Sequence, residues 1–339
     1  MFPPCHARFR ELGSRLESMR RPRIIPGALA VSAFGFLVGV SGCDTIKARS
    51  RAQDGVALYK EGKPVEAAAK FEEAQALDAT VPTIWLDLGF ADLAAYQLAI
   101  GTPAGSTAAS RAIFAFEKYL EMRPGEERVT SYLVQTFVDT SHYDDAVKFF
   151  KPAVDRTPPD TQALATLGTI ASKVGRFSDA ATWYERRIAA EPDSGDARLA
   201  LGVLLWDRLK SHVELVGKDR VEMSNRALAV LKEARRLQPA SPNPFLYTNL
   251  VYRERANANL GDDPKRADLE LANAYFRIAN NVGKGGSEAA MAKDKAFVDD
   301  ATPKADALVK VAVDAIPDGQ NAPAPAPVAK DSPKKGVTK

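Results

Sequence analysis

Apolar residues recur at helical spacing, in paired short runs, along most of the chain. The clearest pair is 161–194, TQALATLGTIASKVGRFSDAATWYERRIAAEPDS. Leu164, Leu167, Ile170 and Ala171 form one stripe. Gly175 then breaks the run where the chain must reverse, and Ala180, Ala181, Tyr184, Ile188 and Ala189 form the second stripe. Pro192 follows, and proline cannot continue a helix. The pattern predicts two antiparallel helices and a stop. Small residues at Gly168, Ala171 and Ala180 mark the crossing, with Leu167, Phe177 and Tyr184 filling around it. So short a pair cannot bury its own apolar faces and needs similar neighbours.

The chain supplies them. Residues 48–81 align with 161–194 without a gap: Gly55 falls on Gly168, Gly62 on Gly175, Ala67 on Ala180 and Phe71 on Tyr184. Residues 127–160 also align without a gap, with Leu133, Val134 and Phe137 in the first helix and Ala146, Phe150, Ala153 and Pro158 in and after the second. Three further pairs, 82–126, 195–241 and 242–285, fit with an insertion between their helices of roughly ten to thirteen residues over the 34-residue period. By composition, Gly101–Ser106 and 261–264 read as loops, whereas 211–224 has the apolar residues to lengthen both helices.

Trp or Leu, Leu-Gly and Tyr in a first helix, then Ala, aromatic, Ala and Pro in a second, resemble the tetratricopeptide repeat. The resemblance covers 51–285 as about six repeats. It implies an all-α, right-handed superhelix whose first helices line a concave groove that binds other proteins. By repeat position that partner-binding groove would show Tyr59, Phe90, Leu93, Gln135, Lys173, Trp206 and Arg253. Phe90, Leu93 and Trp206 are large apolar groups that the repeat itself does not require. The family members that clamp a terminal carboxylate use Lys and Asn at set positions. Here Ala52 and Val56, or Ser131 and Gln135, stand there, which does not fit a clamp. The insertions fall on one edge, at the turn between helices, and read equally as a binding edge or as tolerated surface growth.

Behind the repeats, 286–317 predicts two capping helices, one starting after Ser287 and one at Thr302-Pro303. Their apolar residues would cover the open end of the array. Residues 318–339 are rich in Pro, Ala and Lys and predict an extended, disordered tail.

The start of the chain has another pattern. Arg20, Arg21 and Arg23 precede an uncharged apolar run, 24–40, which ends in Val40-Ser41-Gly42-Cys43. This resembles the lipobox of bacterial lipoproteins. The resemblance implies a signal peptide over 1–42, cleavage before Cys43 and acylation of Cys43, palmitate included, with 43–50 as a polar tether. Counted from Met19 the leader is of ordinary length, so Met19 is expected to be the true start. The rival assignment is an uncleaved transmembrane helix, which Pro26, Gly27, Gly35 and Gly39 would weaken. Asp44 resembles an inner-membrane retention signal in some bacteria. The choice between inner and outer membrane stays open.

Charge narrows the partners. The chain carries +3 overall, but six Arg and two Glu lie in 1–43. Of the 46 Lys and Arg, 40 remain after residue 43, against 41 of the 43 Asp and Glu. So neutral a body has no basic footprint for nucleic acid. After Cys43 there is no further cysteine, and only His142 and His212 among histidines, which excludes cysteine-based metal sites and a His-rich one. Asp144-Asp145, Asp262-Asp263 and Asp299-Asp300 sit at helix starts or in loops, where carboxylates favour the helix dipole. The run 283–287 resembles a phosphate loop only in passing. No catalytic residue, metal site or cofactor is expected, and the chain is not read as an enzyme. The expectation is a periplasm-facing, lipid-anchored envelope scaffold, similar in architecture to pilotins or secretion and pilus assembly factors. The alternative is an accessory cell-wall protein or enzyme subunit that uses the repeats for docking.

Overall fold

The computed structural model describes residues 41–317 and Gln320. Residues 1–40 of the signal peptide expected over 1–42, with Met19, and nearly all of the tail over 318–339 lie outside the described residues. Among those described there are thirteen α-helices and no strand. They run α1 Ser41–Lys60, α2 Pro64–Leu77, α3 Pro82–Leu98, α4 Pro103–Met122, α5 Glu127–Asp139, α6 Tyr143–Asp155, α7 Thr161–Lys173, α8 Phe177–Ala190, α9 Gly195–Ser211, α10 Gly217–Leu237, α11 Pro242–Ala256, α12 Asp262–Gly283 and α13 Glu288–Asp314. The all-α expectation holds. The helices fall into two compact units, divided between Phe149 and Phe150 within α6.

Local chemistry sets the helix ends. Asp160 caps α7 by accepting from the backbone N–H of Gln162 and Ala163, both at 3.0 Å. Ser194 caps α9 and Thr102 caps α4 in the same way. Proline opens α2, α3, α4 and α11, where its missing N–H is not needed. Gly62 and Gly175 end first helices in the left-handed region, at φ 76° and 81°. In the hairpin 127–160 a serine stands at that position. Ser141 adopts φ 58°, and His142 still donates back to the Phe137 carbonyl, as Arg176 does to Ala171.

Within each hairpin the helices cross where the first has no side chain. A Cβ on Gly55 would stand 2.8 Å from the Phe71 ring, on Gly89 2.7 Å from Phe116, on Gly168 2.7 Å from Tyr184 and on Gly202 2.6 Å from Leu231. The small-against-large rule thus repeats in four hairpins. Around it Ala67, Ala112, Ala180 and Ala227 are fully buried.

In the first unit successive helices alternate in direction. Ala48 near the start of α1, Ala74 near the end of α2 and Ile84 near the start of α3 pack together. Thr45 donates to the Asp78 carboxylate at 2.8 Å across the same place. At the other end Tyr96 donates to the Asp139 carbonyl at 2.8 Å, and Ser110 meets His142 at 3.3 Å. One edge of this unit therefore carries the start of α1 and the links between hairpins. The opposite edge carries the turns within hairpins.

The structure corrects three expectations. The stretch 43–50 is not a tether: it is the opening of α1, continuous with the first repeat. The loops expected at 101–106 and 261–264 are largely helix, because Pro103 and Asp262 start α4 and α12. All three insertions are thus spent on lengthening helices, to 17 and 20 residues in α3 and α4 against 13 and 14 in α7 and α8. Finally, 288–314 is one helix of 27 residues, not two. Met291, Val298, Ala305 and Val309 keep a single buried stripe along it. That packing outweighs the roughly 3 kcal/mol cost of Pro303 in a helix interior. The Thr302 hydroxyl, which was expected to cap a second helix, instead donates to the Val298 carbonyl.

Candidate partner-binding face

The sequence-predicted residues lie on first helices, and the two units hold them differently. In the first unit Tyr59 is half-buried near the end of α1. Phe90 on α3 is half-buried and meets Phe116 and Tyr132 edge-on, with ring centroids 5.4 and 5.0 Å apart. Gln135 donates its side-chain amide to Asp139, one turn on. Leu93 is not on an open face: at 5 % exposure it belongs to the interior. Because α3 and α4 both run longer than their counterparts, a position near the end of an ordinary first helix becomes a core position here.

In the second unit Lys173 is exposed in the last turn of α7. Trp206 on α9 is half-buried, edge-on to Tyr247 of α11 at 5.3 Å, with the Lys210 ammonium over its ring at 5.1 Å. Its indole Nε1–H is buried and has no acceptor among the described residues. Leu199 and Val203 on α9, and Leu246 and Leu250 on α11, are half-buried as well. Arg253 is exposed but fixed, donating to Asn249 and Asn273 at 2.9 Å each. The face of α9 and α11 is therefore half-open, apolar at its centre and cationic at Lys210 and Arg253.

Sequence reasoning missed Tyr132, Tyr247 and Asn273. The two tyrosines occupy the same repeat position, sixth in the first helix, and each receives an aromatic ring from the preceding hairpin. That shared register was the available signal.

Elsewhere polar groups have structural partners. The His142 imidazole sits on Thr140, and His212 pairs with Glu214. Ser287 caps α13, and Gly285 supplies a left-handed turn at φ 69°, which accounts for the run 283–287. Among the described residues no group of His, Cys, Asp and Glu is placed to hold a metal. No described helix is long and apolar enough to cross a membrane. Among the described residues three buried ion systems stand out, of which Arg255 with Asp268 lies in the second unit. Asp92 on α3, fully buried, accepts from Arg111 of α4 at 3.0 Å, while Arg111 also reaches Glu72 of α2 at 3.2 Å. Burial pushes the Asp92 carboxyl up to about 6 against the pull of Arg111. In the second unit Arg220 donates to the Leu215 and His212 carbonyls and to Glu254 at 2.9 Å, binding the turn after α9 to the end of α11. Gly217 donates to the Ala258 carbonyl at 2.8 Å, and Val221, Ala258 and Val309 close over the same place. The second and third insertions are thus buried against each other and α13.

Residues 165–214, which take in most of α7, all of α8 and all of α9, match the family model described as tetratricopeptide repeat. The chain carries tetratricopeptide repeats. Such repeats are protein-binding scaffolds. No curated protein matches the sequence. Among solved structures, MamA residues 41-end from Desulfovibrio magneticus RS-1 is similar at 17% identity and TM-score 0.31, covering 57% of this chain and 96% of its own. YrrB, described as a tetratricopeptide repeat protein with an unusual peptide-binding site, is 19% identical with TM-score 0.31, covering 58% and 89%. PilW, a type IV pilus biogenesis factor, is 15% identical with TM-score 0.36, covering 71% and 95%. None of these similarities assigns a role to a residue.

Proposed function

We propose that this chain is a lipid-anchored bacterial envelope scaffold, facing the periplasm, whose α9–α11 face holds a segment of a partner protein. The observation that carries the binding reading is the half-open Trp206–Tyr247 pair, with the Lys210 ammonium over the Trp206 ring and Val203 and Leu250 half-buried on the same two helices. Aromatic anchors beside cations suit an extended or helical peptide. The anchor reading rests on the apolar run and Val40-Ser41-Gly42-Cys43. Two acyl chains at Cys43 would hold the repeats at a membrane stably, where one would not. Confinement to that surface raises the effective concentration of membrane partners, which suits a factor that assists assembly of an envelope complex.

Two measurements test this. Intact mass of the membrane-extracted protein should correspond to a chain starting at an acylated Cys43, and a chain expressed from Asp44, with neither leader nor anchor, should not be held at the membrane. Crosslinked envelopes should yield a co-purified protein whose recovery falls when Trp206 and Tyr247 are both changed to Ser. An unmodified mass or unchanged recovery would contradict the anchor or the binding face respectively.

A further inference from the structure

From the geometry of the first unit we infer that the lipid anchor is joined to the repeats without a flexible linker, so that the unit stands with its inter-hairpin edge on the membrane. This rests on the lipid-anchor reading of Cys43. Cys43 lies within α1, which continues unbroken to Lys60. The first turns are locked to the unit: Thr45 bonds Asp78 at 2.8 Å, and Ala48, with no exposed surface, packs on Ala74 and Ile84. A chain held this way cannot swivel freely about its acylated residue.

The occupant of that edge is the bilayer that holds the acyl chains. Beside the anchor, Ile46 is 69 % exposed, and Lys47 and Arg49 are exposed with it. At the end of α4, on the same edge, Met122 and Arg123 are exposed too. Lys47 is paired with Asp44 at 3.7 Å, so the exposed apolar groups beside the acylated residue, rather than a cationic surface, are what would seat in the headgroup region. The turn edge lies at the other end of α1, roughly 25 Å away at 1.5 Å per residue. It carries Val65, Leu98 and Ile100, at 59 %, 72 % and 61 % exposure. In the upright arrangement these face away from the lipid, toward other envelope components.

The test uses the full lipidated chain on vesicles of phosphatidylethanolamine and phosphatidylglycerol that contain a nitroxide-labelled lipid. With Cys43 acylated, no other cysteine remains after the leader, so one fluorophore can be placed by A79C on the inter-hairpin edge or by Q97C on the turn edge. Both positions are exposed. The A79C label should be quenched several-fold more than the Q97C label. Equal quenching, or stronger quenching at Q97C, overturns the upright arrangement. A chain starting at Asp44, with neither leader nor anchor, run in parallel separates the two ideas. Vesicle association that survives in it contradicts the anchor itself, whereas equal quenching on protein whose association needs the acylated residue contradicts only the orientation.

Discussion

Arg255 of α11 and Asp268 of α12 face each other at 1 % exposure each, joined by two donations from Nε and one from Nη2, the last at 2.7 Å. The remaining guanidinium nitrogen reaches Asn225 of α10 and Asp306 of α13, at 2.7 and 2.8 Å. The guanidinium also lies 5.0 Å from the Tyr252 ring. One side chain therefore ties four helices of the second unit together.

Breaking such a pair leaves a buried charge without compensation, at a cost of about 3–5 kcal/mol. Asp268→Ala should lower the denaturant midpoint of the second unit accordingly. Replacing both partners, Arg255→Met with Asp268→Leu, should cost much less, because the desolvation penalty goes with the charges. Equal losses in the single and double variants would show that the helices depend on the charges themselves.

Asp92 predicts the opposite of ordinary acid denaturation. Its carboxyl is held near 6 in the fold, above the ordinary value of 3.8. The folded state therefore binds the proton more tightly than the unfolded chain. The stability from Asp92 is complete below about pH 4 and is lost as pH rises through about 6, by roughly 3 kcal/mol. Asp92→Asn removes the titration, so the variant should gain stability relative to wild type at pH 7 and lose that advantage near pH 4. Chemical denaturation at the two pH values reads the difference. A constant gap between variant and wild type would place the titration elsewhere.

Ser141 holds a left-handed conformation that glycine takes at the matching turns. Ser141→Gly should stabilise the hairpin by about 1 kcal/mol. Gly168→Ala should do the reverse, since the new Cβ would stand 2.7 Å from the Tyr184 ring. Thermal unfolding of both variants distinguishes backbone relief from packing loss.

The gapless hairpins were legible in the sequence because each diagnostic position answers to one close contact. Gly168 is small because Tyr184 is there, and Gly175 turns because nothing larger does so easily. The lengthened hairpins were not. Gly101 and Pro103 read as a loop by composition, yet Pro103 is also a good first residue for a helix. Pro303 likewise reads as a start, and only the buried run from Met291 to Val309 shows that α13 passes through it. The binding face was half legible. Repeat position found Trp206, but also placed Leu93 on an open face, because the extra helix length that buries Leu93 lies in the misread insertion. The partner ring, Tyr247, belongs to the next hairpin and enters only when the first helices are packed.

On the proposed reading, the α9–α11 face holds a partner through Trp206 and Tyr247. Its most direct test is quantitative co-purification from crosslinked envelopes, comparing wild type with Trp206→Ser and Tyr247→Ser combined. Circular dichroism of the purified proteins would establish that the helices are intact. A partner seated on this face predicts a loss of about tenfold or more in recovered protein with helicity unchanged. Full recovery by the folded double variant would contradict it.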